Sequence, residues 1–96
     1  MKLKPLSDKR AAMVEMIDED TELLFLEPAK IYDDAIIGIS EPRGEQTPLV
    51  IYDAQRIVEL LQERSGMTQS EAQEFYEFNI LGAWLGEQTP LYVERV

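Results

Sequence analysis

The sequence predicts an α+β fold, one domain over residues 1–96, in which a small antiparallel sheet packs against an αα-hairpin with an N-terminal helix alongside. Three observations carry this expectation. Two stretches of helical periodicity, 54–64 and 68–86, are separated only by Ser65, Gly66 and Met67, a junction short enough to fold the second helix back on the first. Short β-branched runs occur at 35–40, 49–52 and 91–93, each next to Gly or Pro. An apolar content of 45% over 96 residues is enough for one modest core.

Taken in order, Pro5 keeps Lys4 extended, and Ser7 is placed to cap a helix over 8–17 whose first turn carries Asp8. Ala11, Ala12, Met13, Val14, Met16 and Ile17 give that helix a broad apolar face. Asp18, Glu19 and Asp20 oppose the negative end of the helix dipole and should terminate it. The run 23–26 reads as a short strand or a buried loop before Pro28. AIIGIS at 35–40 is a strand in which Gly38 marks close packing or a bulge. EPRGEQT at 41–47 is a loop, and LVIY at 49–52 a second strand. Asp53 caps the helix over 54–64, which buries Ile57, Val58, Leu60 and Leu61 and ends at Gly66 in a left-handed cap. Pro90 opens a last strand at 91–93.

The stretch 68–86, TQSEAQEFYEFNILGAWLG, is expected to organise the chain. Thr68 and Glu71 have capping-box spacing. Ala72, Phe75, Tyr76, Asn79, Ile80 and Ala83 recur on one helical face, and this helix should supply the largest share of the core. Phe78, Leu81 and Leu85 form a second apolar stripe roughly opposite.

The formal charge of −10 is large for this length, and it divides evenly between the halves, so there is no acidic tail. It disfavours direct nucleic-acid binding and anionic membrane surfaces, and favours a basic partner. With no Cys and no His, the sequence excludes disulfides, thiolate chemistry, Ser-His triads and imidazole proton shuttles. No apolar run reaches the ~20 residues of a membrane helix, and MKLKPLSDKR has no hydrophobic region after its basic residues, so no signal peptide is read and a cytoplasmic location is expected. No catalytic motif is present, and the expectation is a non-enzymatic protein without cofactor or metal.

One hexapeptide, GEQTPL, occurs at 44–49 and again at 86–91. Each copy runs from a Gly turn through Thr-Pro into an apolar strand, while the flanks differ. Either both are the same local strand lead-in, or the two loops lie side by side on adjacent strands and form one surface.

YDDAIIGI at 32–39, VIYDAQRIVELLQERSGMTQSEAQEFYEFNILGAW at 50–84 and GEQTP at 86–90 together resemble a family of short uncharacterised proteins of phages and bacterial genomes, with EFNILGAWLGEQTP as the most specific signature. The resemblance covers about two thirds of the chain and little of its N-terminal third. It implies a phage or prophage setting and the host cytoplasm. It implies no activity and no catalytic residue.

The candidate binding residues are Phe78, Leu81 and Leu85, as a stripe for a protein partner or for self-association, and Trp84, Glu87 and Tyr92, as a patch with the first GEQTP loop. Trp84 has the alternative role of closing the end of the core. Asn79 is expected to be a buried amide paired with backbone, or else a contact to a ligand. Asp33, Asp34 and Asp53 flank strand ends, with Glu41 and Glu87 expected nearby, and such carboxylates could hold a divalent cation or form an acid–base pair, although the spacing of a calcium loop is lacking. Asp33-Asp34 reads as a turn and Asp53 as a helix cap. The expected function is a small acidic binding protein working through protein–protein contacts. The alternatives are a homo-oligomeric structural protein, an acidic DNA mimic that uses Glu71, Glu74 and Glu77 with Glu59 and Glu63 on the neighbouring helix, a stripe that Arg56 and Arg64 interrupt, and a carboxylate-only hydrolase.

Overall fold

The structure, a computed structural model, describes residues 8–17 and 21–96. In chain order it contains α1 (Asp8–Glu15), α2 (Ala29–Tyr32), a 3-10 turn (Asp33–Ala35), β1 (Ile36–Ile39), β2 (Val50–Asp53), α3 (Ala54–Ser65), α4 (Gln69–Phe75), a π-helical turn (Tyr76–Leu81) and β3 (Leu91–Val93). Helices and a small three-stranded sheet share one core, an α+β architecture. The expected Ser7 cap and the acidic terminator at 18–20 lie outside the described residues.

The sheet order is β1-β2-β3. β1 and β2 pair antiparallel, with Ile36 opposite Tyr52 and Ile39 opposite Val50. The register shifts between Ile36 and Gly38, so Gly38 marks a bulge, and a Cβ there would meet nothing within 4 Å, so it marks no close packing. β2 and β3 are parallel, with Tyr52 opposite Tyr92, and the all-antiparallel sheet read from the sequence is therefore corrected to a mixed one. The reason is the connection. A hairpin link forces antiparallel pairing, whereas residues 54–90 form a long helical crossover that can bring β3 in along the direction of β2.

The helical pair forms as its local signals dictate. Asp53 accepts the backbone N–H of Arg56 at 3.2 Å, and Gly66 (φ 70°) ends α3 in the left-handed region. Thr68 Oγ1 accepts the Glu71 N–H at 3.2 Å while the Glu71 carboxylate accepts the Thr68 N–H at 2.9 Å, a complete capping box.

The core differs from expectation in which helix dominates it. α3 buries Ala54, Ile57, Val58, Leu60 and Leu61, whereas the helix after Thr68 buries only Ala72, Tyr76 and Ile80. Phe75 is half-buried, and Asn79, expected inside, is exposed. The π turn explains the place of Asn79. Bonds from i to i+5 underwind the helix, so a step of four residues keeps Ala72, Tyr76 and Ile80 in line while a step of three swings Asn79 out. α1 buries only Met13; Val14 and Met16 stay exposed, so its broad apolar face is not used. The run 23–26 is a loop, with Leu26 in the core and its N–H donated to the Tyr52 hydroxyl at 2.8 Å.

Candidate functional site

The twin GEQTPL segments feed the two parallel strands, and the structure brings them together. Their strands pair with Ile51 opposite Leu91, so the second copy enters the sheet two residues out of step with the first. A stagger of two keeps equivalent residues on the same face, because side chains alternate with period two. Between the loops lies an open cleft of about 520 Å³ bordered by Glu41, Glu45, Gln46, Thr47, Glu87 and Leu91, among others. Hydrogen bonds from backbone and side-chain hydroxyl groups fix both walls. Ser40 and Leu49 close the first loop, Ser40 N–H to Leu49 O and Leu49 N–H to Ser40 Oγ, each at 2.8 Å. In the second loop Gly86 takes φ 97°, and Thr89 Oγ1 accepts the Leu85 N–H at 2.8 Å while donating to Gly86 O at 2.6 Å. Gln88 reaches across to donate to the Glu22 carbonyl at 3.1 Å.

Of the candidate patch residues, only Glu87 lines this cleft; Trp84 and Tyr92 do not. Tyr92 turns inward, stacked on Tyr52 at 6.1 Å between ring centroids and edge-on to Tyr76 at 5.9 Å. Its hydroxyl is buried without a hydrogen-bond partner among the described residues, and burial pushes its ionisation up to about 12. Trp84 does not close the core.

The apolar stripe is placed outward. Phe78 is 73% exposed, Leu81 52%, Trp84 76% and Leu85 51%. They follow one another along the π turn and the loop after it. Gly82 ends that turn, donating its N–H to Glu77 O at 3.1 Å, and a Cβ there would sit 3.1 Å from the same carbonyl. Beside the stripe, a shallow groove of about 380 Å³ has Met67, Phe75 and Phe78 as its apolar surface and Glu71, Glu74 and Asn79 as its polar one. Local sequence pattern does not announce this groove, because it depends on how Met67, at the hairpin junction, returns beside the helix face.

The aspartates do not converge. Asp33 binds the Arg10 guanidinium, Asp34 accepts Arg64 Nη2 at 2.6 Å, and Asp53 accepts Arg95 Nε at 2.8 Å besides capping α3. Each carboxylate thus has its own arginine, and among the described residues no three acidic side chains gather in a metal-ligating cluster. Among the described residues no helix is long and apolar enough to cross a membrane. Compared with known proteins, the chain matches no family model, no curated protein and no solved structure.

Proposed function

We propose that the chain is a small acidic non-enzymatic binding protein that works through protein–protein contacts, with Phe78, Leu81, Trp84 and Leu85 as its contact surface. The observation that carries this reading is that four large apolar side chains, one of them the chain's only Trp, are each more than half exposed within eight residues. Trp and other aromatics are over-represented at interface anchors, and soluble domains rarely hold such side chains in water without a use. The π turn that presents the first of them adds support, since such turns recur at functional sites. The phage or prophage setting and the host cytoplasm suggested by the EFNILGAWLGEQTP signature belong to the same proposal.

The test is a photo-reactive side chain placed singly at Leu81, Trp84, Val14 or Gln55 in cells that encode the chain. Discrete adducts from Leu81 and Trp84, and none from Val14 or Gln55, are expected. Equal labelling from all four positions, or none from Leu81 and Trp84, overturns the reading.

A further inference from the structure

The groove beside the stripe carries a charge pattern that selects among partners. Residues 65–94 contain Glu71, Glu74, Glu77, Glu87 and Glu94 and not one Lys or Arg. Bases on either side of this segment are already engaged, Arg95 with Asp53 at 2.8 Å. Arg56 reaches Glu59 at 3.1 Å and Glu63 at 3.4 Å, while Arg64 donates to the Lys30 carbonyl at 2.8 Å and to Asp34 at 2.6 Å. Among the described residues no ion pair reaches Glu71, Glu74, Glu77 or Glu87. The apolar floor is thus edged by Glu71 and Glu74, with Glu77 further along the same helical stretch, and among the described residues no Lys or Arg pairs with any of them.

Resting on the proposed function, we infer that the Met67–Phe75–Phe78 groove receives a cationic amphipathic helix of another protein, whose apolar stripe covers Phe78 and whose Lys or Arg residues meet Glu74 and Glu77. Three features select this occupant. Met67, Phe75 and Phe78 form an apolar floor of the kind on which an amphipathic helix lays its apolar face. The edge is of one sign, so a basic segment is attracted while an acidic one is repelled at every contact. A second copy of the chain brings the same acidic edge and another −10 charges, so self-pairing sets like against like. Nucleic acid and anionic lipid are disfavoured for the same reason.

The probe is a labelled helical peptide of Leu and Lys in amphipathic order, with a Leu/Glu peptide of the same pattern as its counterpart. Binding is read by fluorescence anisotropy at low and high salt. Only the Leu/Lys peptide should bind. The pair Glu74→Gln and Glu77→Gln should weaken it about tenfold at low salt, and the weakening should shrink as salt rises. Glu71 is left in place because it caps α4. Phe78→Ser, at a side chain that supports no core, should cost at least about 30-fold. Unchanged binding to Phe78→Ser means diffuse attraction to an acidic protein and overturns the inference, as does failure of the Leu/Lys peptide to bind. If adducts form at Leu81 and Trp84 in cells while this peptide fails, the contact surface stands and the cationic helix falls. An adduct to a second copy likewise overturns it.

Discussion

The Arg10 guanidinium grips the Asp33 carboxylate with two bonds, Nε to Oδ2 at 3.1 Å and Nη2 to Oδ1 at 2.8 Å. A third nitrogen donates to Glu27 at 2.9 Å, and Cζ lies over the Phe25 ring, 4.2 Å from its centroid. This pair fastens α1 to the turn that leads into β1. The Asp33 side chain is 3% exposed and that of Arg10 13%, so the charges have little water to fall back on. Asp33→Asn should therefore destabilise the fold, but by less than the ~3–5 kcal/mol of leaving a buried charge wholly unpaired, because Arg10 keeps its bond to Glu27. The double change Arg10→Met with Asp33→Leu should recover most of that loss. Urea unfolding decides it, and a double variant no more stable than the single one would show that the pair's geometry, rather than a weakened charge balance at Arg10, sets the cost.

Core substitutions should rank α3 above the helix that follows it. Leu60 is fully buried and Phe75 half-buried. Leu60→Ala should cost about 3 kcal/mol or more, within the range for buried Leu, while Phe75→Ala should fall short of the ~3–5 kcal/mol of a fully buried ring. The reverse order in denaturant midpoints would return the organising role to the stretch after Thr68.

Gly82→Ala has a sign that decides the geometry of the π turn. In an ordinary helix the change stabilises by roughly 0.5–1 kcal/mol. Here the new methyl would meet two backbone carbonyls, Glu77 O at 3.1 Å and Phe78 O at 3.3 Å, and neither can move without unwinding the turn. A loss of about 1 kcal/mol is expected, at the low end of overpacking costs. A gain in thermal stability would mean that the turn relaxes freely.

All four tyrosines are pushed above the ordinary value of 10.0, chiefly by burial, Tyr92 to about 12. The neutral phenol is the form the fold accepts. Its stabilising contribution is thus complete below pH 10 and is lost as pH rises toward the folded values. Tyrosinate absorbance should rise together with loss of far-UV circular dichroism, in one transition. Tyrosinate appearing near pH 10 with the dichroism intact would refute the burial of these rings.

The features legible in the sequence were those written in adjacent residues. Asp53, Gly66 and the Thr68–Glu71 box act within five residues of themselves, so spacing alone locates them. Gly38 likewise announced its bulge. The direction of β3 was not legible, because strand polarity depends on the path of the whole crossover. Asn79 was misplaced because an apolar pattern is read at an α-helical period, and a π turn changes that period midway. Arg10 and Asp33 stand 23 positions apart, and an ion pair at that distance leaves no mark on local pattern. Of the candidate site, the exposed stripe was visible as a second apolar face, whereas the groove required knowing where Met67 comes to rest.

A π turn is the trace of one residue more than an α-helix would hold. Removing Asn79, whose side chain packs into nothing, would leave Ala72, Tyr76 and Ile80 at steps of zero, four and seven, the spacing an uninterrupted α-helix prefers. The buried contacts would survive, and because the chain beyond follows Ile80, Leu81, Trp84 and Leu85 would keep their direction while the π turn itself closed into α-helix. A single lost codon would thus erase the turn without dismantling the domain beneath it.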